Sequence, residues 1–142
     1  MGFTSRIPVQ VRSLESLRQS HQIQDAVGVL KIDTEGFDLE VLRGIGDLAC
    51  DVVMTEFWDR QTDFGREGAA NLDALVGQMR VCGYGWHIVV YKLSGKPISY
   101  YCNRRASVPG SWGNAIFFKD RGLFREALEW CSSALPVTHF RA

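Results

Sequence analysis

A chain of 142 residues, 46% hydrophobic and 23% charged, has the length and composition of one globular domain with a core of useful size. Sixteen basic residues balance sixteen acidic ones, so bulk charge gives no pull toward nucleic acid or an anionic membrane. No apolar run approaches the roughly 20 residues that span a bilayer. The opening "MGFTSRIPVQVRS" has neither the apolar centre of a signal peptide nor, with Arg6 in sixth place, a myristoylation pattern.

Cys50, Cys82, Cys102 and Cys131 are scattered, with no CxxC spacing. They are expected to be reduced thiols, which points to a cytoplasmic compartment. His21, His87 and His139 are equally scattered, so no metal site is expected.

In chain order, "IPVQVRS" alternates Ile7, Val9 and Val11 with polar residues and predicts a short extended segment. Ser13 is placed to cap a helix carrying Leu14 and Leu17 and running to about His21. The apolar run from Val27 to Asp33 reads as a parallel strand covered on both faces, interrupted by Lys31, which must reach the strand end or solvent. A short helix over Phe37 to Arg43 follows, with Val41 and Leu42 inward, Asp38, Glu40 and Arg43 outward, and Gly44 as terminator. "DVVMTEFW", 51 to 58, is a second buried strand carrying Glu56 near its end. In "GREGAANLDALVGQMRVCG" the spacing of Leu72, Leu75, Val76 and Met79 gives a helix face, stopped by Gly83.

"WHIVVYKL", 86 to 93, is a third strand, and a polar loop from Ser94 to about Trp112 leads to a fourth, "GNAIFFKD", 113 to 120. Asp120 can cap a last helix with Leu123, Phe124, Ala127, Leu128 and Cys131 on one face, and a tail closes the chain over 120 to 142. Strands alternating with helices imply an α/β fold of parallel units with right-handed crossovers. With no helix between them, the third and fourth strands are expected to pair antiparallel.

In open α/β sheets, ligands bind outside the carboxyl ends of the strands. Asp33 and Glu56 stand at two such ends, 56 − 33 = 23 residues apart, one crossover. Two carboxylates converging on one site suit a general base, a hydroxyl-orienting pair or a shared divalent cation. Plainer readings stand beside these. Asp33 or Thr34 can simply cap the next helix, and Lys31 can be a snorkelling or ion-paired side chain. Trp58 can be loop packing, His87 a satisfied core or face residue, and Asn114 can bond backbone or face the site.

The block "LKIDTEGFDLEVLRG", Leu30 to Gly44, closely resembles the hallmark of the FkbM family of S-adenosylmethionine-dependent methyltransferases. That hallmark is an apolar strand, Lys-Ile-Asp, any residue, Glu-Gly, a variable residue, an acid, then a helix ending Val-Leu-Arg/Lys-Gly. "VQVRSLESL", "VVMTEFW" and "WGNAIFFK" are similar to the segments around it, so the likeness runs from about Val9 to Lys119. The resemblance implies the C-terminal half of a class I, Rossmann-like methyltransferase sheet, mostly parallel with an antiparallel last strand. It implies O-methylation of a sugar or natural-product hydroxyl. For such a domain Asp33, Glu35 and Glu56 are expected to be the catalytic acids, Asp33 or Glu35 as general base or hydroxyl-orienting acceptor and Glu56 as its partner in placing the acceptor or a cation, with Lys31, Trp58 and Asn114 as acceptor-binding residues. The family's Gly-rich cofactor loop has no counterpart here: "RGIGD" and "GYGWH" follow helices and precede strands, the wrong context for it.

Two other readings compete. A GTPase metal-side element needs a GxxxxGK[ST] phosphate loop, which the sequence does not contain, and is strongly disfavoured. The other is a non-enzymatic assembly module that pairs through an exposed sheet edge, as a homo-oligomer or with a missing N-terminal half.

Overall fold

The computed structural model describes residues 7–66 and 70–139. Six strands form one sheet: β1 (Ala26–Lys31), β2 (Ala49–Trp58), β3 (Trp86–Leu93), β4 (Ser99–Cys102), β5 (Ser111–Phe118) and β6 (Val137–His139). Their spatial order is β1-β2-β5-β3-β4-β6. β1 pairs parallel with β2, from Ala26↔Ala49 to Lys31↔Met54. β5 runs antiparallel to both of its neighbours, β2 and β3. β3 and β4 are antiparallel, and β4 and β6 parallel.

The expected adjacency of the first two strands and the antiparallel pairing of β3 with β5 are both present. The expectation of a mostly parallel sheet is corrected: the sheet is mixed, with three antiparallel ladders and two parallel ones. The physical reason is the 94–112 segment. It contains β4, a hairpin partner for β3, where a polar loop was expected.

Five helices accompany the sheet: α1 (Leu14–Gln19), α2 (Asp38–Arg43), α3 (Asp63–Arg66), α4 (Leu72–Val81) and α5 (Arg121–Ala134). Three start where a short polar side chain can satisfy an orphan backbone N–H. Ser13 Oγ accepts from Ser16 N, Asn71 Oδ1 from Ala74 N, and Asp120 Oδ1 from Leu123 N. The alternation in residues 7 to 11 forms no strand. Ile7, Val9 and Val11 are almost fully exposed and nothing pairs with them among the described residues. The tail beyond α5 adds β6, which the sequence pattern did not announce.

Strand alternation from Val53 onward sorts β2 into two faces. Val53, Thr55 and Phe57 are buried in the main core with Ala115, Phe117, Val89 and Tyr91. Leu42 of α2 and Leu72, Leu75, Val76 and Met79 of α4 cover them. Each fully buried Leu, Phe or Met contributes about 1.5–3 kcal/mol. On the other face Ile88 and Phe118 lie under Phe124, Ala127, Leu128 and Cys131 of α5. His87 is satisfied in place: its Nε2 lies 3.0 Å from the Arg104 carbonyl, and burial pushes its pKa down.

β5 can lie between β2 and β3 because Gly113 faces Phe57 on one side and Tyr91 on the other. A Cβ there would stand 2.2 Å from the Val90 carbonyl oxygen and 2.8 Å from Tyr91 Cα. Gly113→Ala should therefore lower stability by roughly 1–3 kcal/mol, the range for overpacking a tight interior. A urea midpoint indistinguishable from the parent's would show that the strands can part at no cost.

Candidate functional site

β1 leaves the sheet at Ile32, whose N–H still donates to the Met54 carbonyl at 2.8 Å. The chain then turns through Asp33, Thr34, Glu35 and Gly36 into α2. Glu35 takes a left-handed φ of 51° and Gly36 one of 105°, so two consecutive residues make the reversal. That turn sets the acids at the carboxyl end of the parallel pair, where the sequence argument put them.

The residue that holds the turn is Asp38. It was expected to point outward, yet it is 1% exposed. Its Oδ1 accepts from Glu56 N at 3.0 Å. Its Oδ2 accepts from Thr34 Oγ1 at 3.1 Å and Thr34 N at 3.4 Å. With β1 departing, the N–H of Glu56 needs an acceptor, and Asp38 supplies one from the first turn of α2. The cap of α2 is Phe37, with no side-chain bond, so neither Asp33 nor Thr34 plays the capping role considered above.

Asp33 is exposed and pairs with Lys31, whose Nζ lies 3.0 Å from Asp33 Oδ2 and 3.1 Å from the Ile32 carbonyl. Lys31 thus reaches the strand end, as its position required. Glu35 is exposed beside them. Glu56 sits deeper, half-buried on the α5 face of β2. Trp58 Nε1 donates to Glu56 Oε2 at 3.2 Å. Asn114 is its direct partner across β5, and its Oδ1 is buried without a hydrogen bond. Glu56 and Asn114 line a cavity of about 170 Å³ together with Val90, Lys92, Ser99 and Trp112.

Burial pushes the pKa of Glu56 above the ordinary carboxylate range. The Trp58 indole opposes that rise, the charges of Asp33 and Glu35 add to it, and Lys31 opposes it. Among the described residues, no group of three or more His, Cys, Asp or Glu side chains could hold a metal ion, and no helix is long and apolar enough to cross a membrane. The four cysteines are free thiols.

The pattern of the Methyltransferase FkbM domain matches residues 2–85, more than half of the chain. The chain belongs to the FkbM methyltransferase family. No curated protein and no solved structure matches the chain. The family match takes in β1, the Asp33–Gly36 turn, α2 and β2. It stops before β3, so Asn114 and Trp112, which complete the cavity, lie outside it.

FkbM methyltransferases generally use S-adenosylmethionine. The Gly-x-Gly turns of this FkbM chain do not lie beside the Glu56 cavity. Gly44 and Gly46 join α2 to β2, and Gly83 and Gly85 join α4 to β3, at the opposite end of the sheet from Glu56. A Cβ on Gly46 would fall 2.4 Å from Glu15 Oε2, so that turn is packed against α1 on one side, while its other side lines a separate cavity of about 410 Å³ with Val81, Tyr84 and Lys119.

Sequence reasoning missed Asp38 and Trp112. The acid at Asp38 is part of the FkbM hallmark, and its fixed place in that block was the available signal. Trp112 opens the family-like block "WGNAIFFK", but only the β2–β5 register sets it beside Trp58. Asp38→Ala should lower stability by about 2–4 kcal/mol, since it leaves buried donors without acceptors. Asp38→Asn, which keeps one acceptor oxygen, should lose less. Equal urea midpoints for Asp38→Ala and the parent would show that water replaces the carboxylate.

Proposed function

We propose that this chain carries the acceptor side of an S-adenosylmethionine-dependent O-methyltransferase, acting on a hydroxyl of a sugar or natural product. The observation that carries the reading is Glu56. It is a half-buried carboxylate on the cavity face, aimed by an indole N–H, opposite an unbonded amide oxygen, at the carboxyl end of a parallel strand pair. S-adenosylmethionine would bring an activated methyl group, and methylating a hydroxyl releases a proton. Glu56 takes that proton as general base. Asn114 and Asp33 orient the hydroxyl, and Lys31 holds the Asp33 side chain in an ion pair. Glu35 is the second acid of the turn and adds negative potential above Glu56.

The base works only when ionised. Turnover should therefore rise with pH through a value above the usual carboxylate range, because burial raises Glu56 first of all. The sign for stability is the reverse of a salt-bridged acid. A raised folded pKa contributes stability below the unfolded value, and that stability is lost as pH rises through the folded one. In a protein that includes a cofactor-binding region, Glu56→Gln should lower turnover on the order of 10²-fold or more. Asp33→Asn should lower it less and leave cofactor affinity unchanged. An NMR titration of the Glu56 carboxyl in this chain should give an elevated midpoint. Turnover within a few-fold of the parent for Glu56→Gln would reject Glu56 as base.

A second reading rests on a different observation. β1 is an edge strand in the described sheet, and Val29 on it is 62% exposed. Bare apolar edges invite another strand. On the assembly reading, two copies pair through β1, and light scattering at tens of micromolar should give a dimer that Val29→Lys returns to monomer. A parent that scatters as a monomer there would remove this reading and leave the first untouched.

A further inference from the structure

Beside the Glu56 cavity lies a second and larger one, of about 470 Å³, walled by Trp58, Phe64 and Trp112. That volume is in the range of small-molecule sites. Trp58 and Trp112 are register partners on β2 and β5, and their rings lie nearly parallel, 8° apart with centroids at 6.1 Å. Phe64 of α3 closes one side, 5.0 Å from Trp58. All three rings keep part of their surface exposed.

The position of Phe64 is built by its neighbour. A Cβ on Gly65 would stand 2.0 Å from the Asp59 carbonyl oxygen, so only glycine lets α3 come this close to the end of β2. Asp59 anchors the other wall. Its carboxylate accepts from Ser107 Oγ and from the N–H groups of Gly110 (2.8 Å) and Gln61 (3.0 Å). The wall's cation, Arg66, is paired with Asp63 at 2.8 Å. The cleft therefore offers aromatic faces with a polar and electrically neutral rim, which suits neither an anion nor a long apolar chain.

Trp58 joins the cleft to the chemistry. Its ring is part of the cleft, while its Nε1 bonds Glu56. Trp112 lines both cavities. Residues two apart on a strand are separated by about 6.6 Å, close to the span of one six-membered ring with its hydroxyl. We propose that this cleft is the ring-binding subsite of the acceptor. A hydroxylated six-membered ring packs its C–H face against the aromatic wall that Trp58, Phe64 and Trp112 give the cleft, and one of its hydroxyls then reaches Glu56. The placement of that hydroxyl rests on the function proposed above. The binding of the ring does not.

The test uses the whole chain and two probes, methyl α-glucopyranoside for a pyranose and cyclohexanol for a carbocycle. The indole N–H resonances of Trp58, Trp112 and Trp130 are followed by NMR during each titration. Saturable shifts of Trp58 and Trp112, with Trp130 unmoved, are expected for at least one probe, and the probe that binds tighter identifies the ring chemistry. Trp112→Ala should weaken that probe roughly tenfold, the equivalent of losing one good aromatic contact. Trp112→Phe, which keeps an aromatic floor, should stay within a few-fold and controls for folding. Trp130→Ala, on the far side of α5 and 77% exposed before substitution, should change nothing. The proposal is overturned if neither probe shifts Trp58 and Trp112, or if Trp112→Ala binds like the parent. If the ring binds while Glu56→Gln keeps full turnover, the subsite stands and the base assignment falls.

Discussion

The buried carboxylate of Asp38 decides whether the site can exist. Parallel pairing between β1 and β2 has to end for the chain to turn into α2, and ending it strips the Glu56 N–H of its expected partner inside a half-buried strand. An unpaired carboxylate at that depth would be strongly destabilising. Here it is matched by three donors from two different elements. The same bonds fix the turn that holds Asp33 and Glu35 relative to the strand that holds Glu56. Helix, turn and strand therefore move as one piece at the end of the sheet where a ligand would arrive.

The acids around this piece have unequal environments, and that inequality separates their roles. Lys31 and Asp33 form an exposed pair, and such pairs are worth about 0–1 kcal/mol. Their effect is on local potential and not on holding the fold. Glu56 is set apart by burial and by a single indole donor, so it is the acid whose protonation responds most to its surroundings. Nearby charge then adjusts a property that packing has already established. This is a familiar physical basis for dividing labour between neighbouring carboxylates.

Much of this was legible from residues alone, because local signals were strong where the structure is local. Ser13, Asp120 and Gly44 announced helix boundaries through capping chemistry, and the apolar runs at Val27 and Val52 announced the parallel pair. Asp38 was misplaced for a reason that helix periodicity cannot repair. Its burial depends on a hydrogen bond to a strand 18 residues away, and an acid near the start of a helix is ordinarily solvated. β4 was hidden in a stretch with glycine and proline nearby, where tertiary pairing overrode weak local preference. The Trp58–Trp112 stack depends on antiparallel register across 54 residues of chain, which no periodicity encodes.

The position of β5 in the sheet also bears on how the chain is made. It is the fifth strand in sequence but stands between the second and the third, and only it joins them. A ribosome adds roughly 5–20 residues per second, so several seconds separate the completion of Trp58 from the emergence of Ser111. During that interval β2 shows a Val- and Phe-bearing edge with no strand on it, and β3 and β4 form a separate hairpin. Such an edge is a template for mispairing between nascent chains on neighbouring ribosomes. A message cut short before Ser111 would yield two strand pairs with no ladder between them, a product for proteases and not a smaller version of the domain.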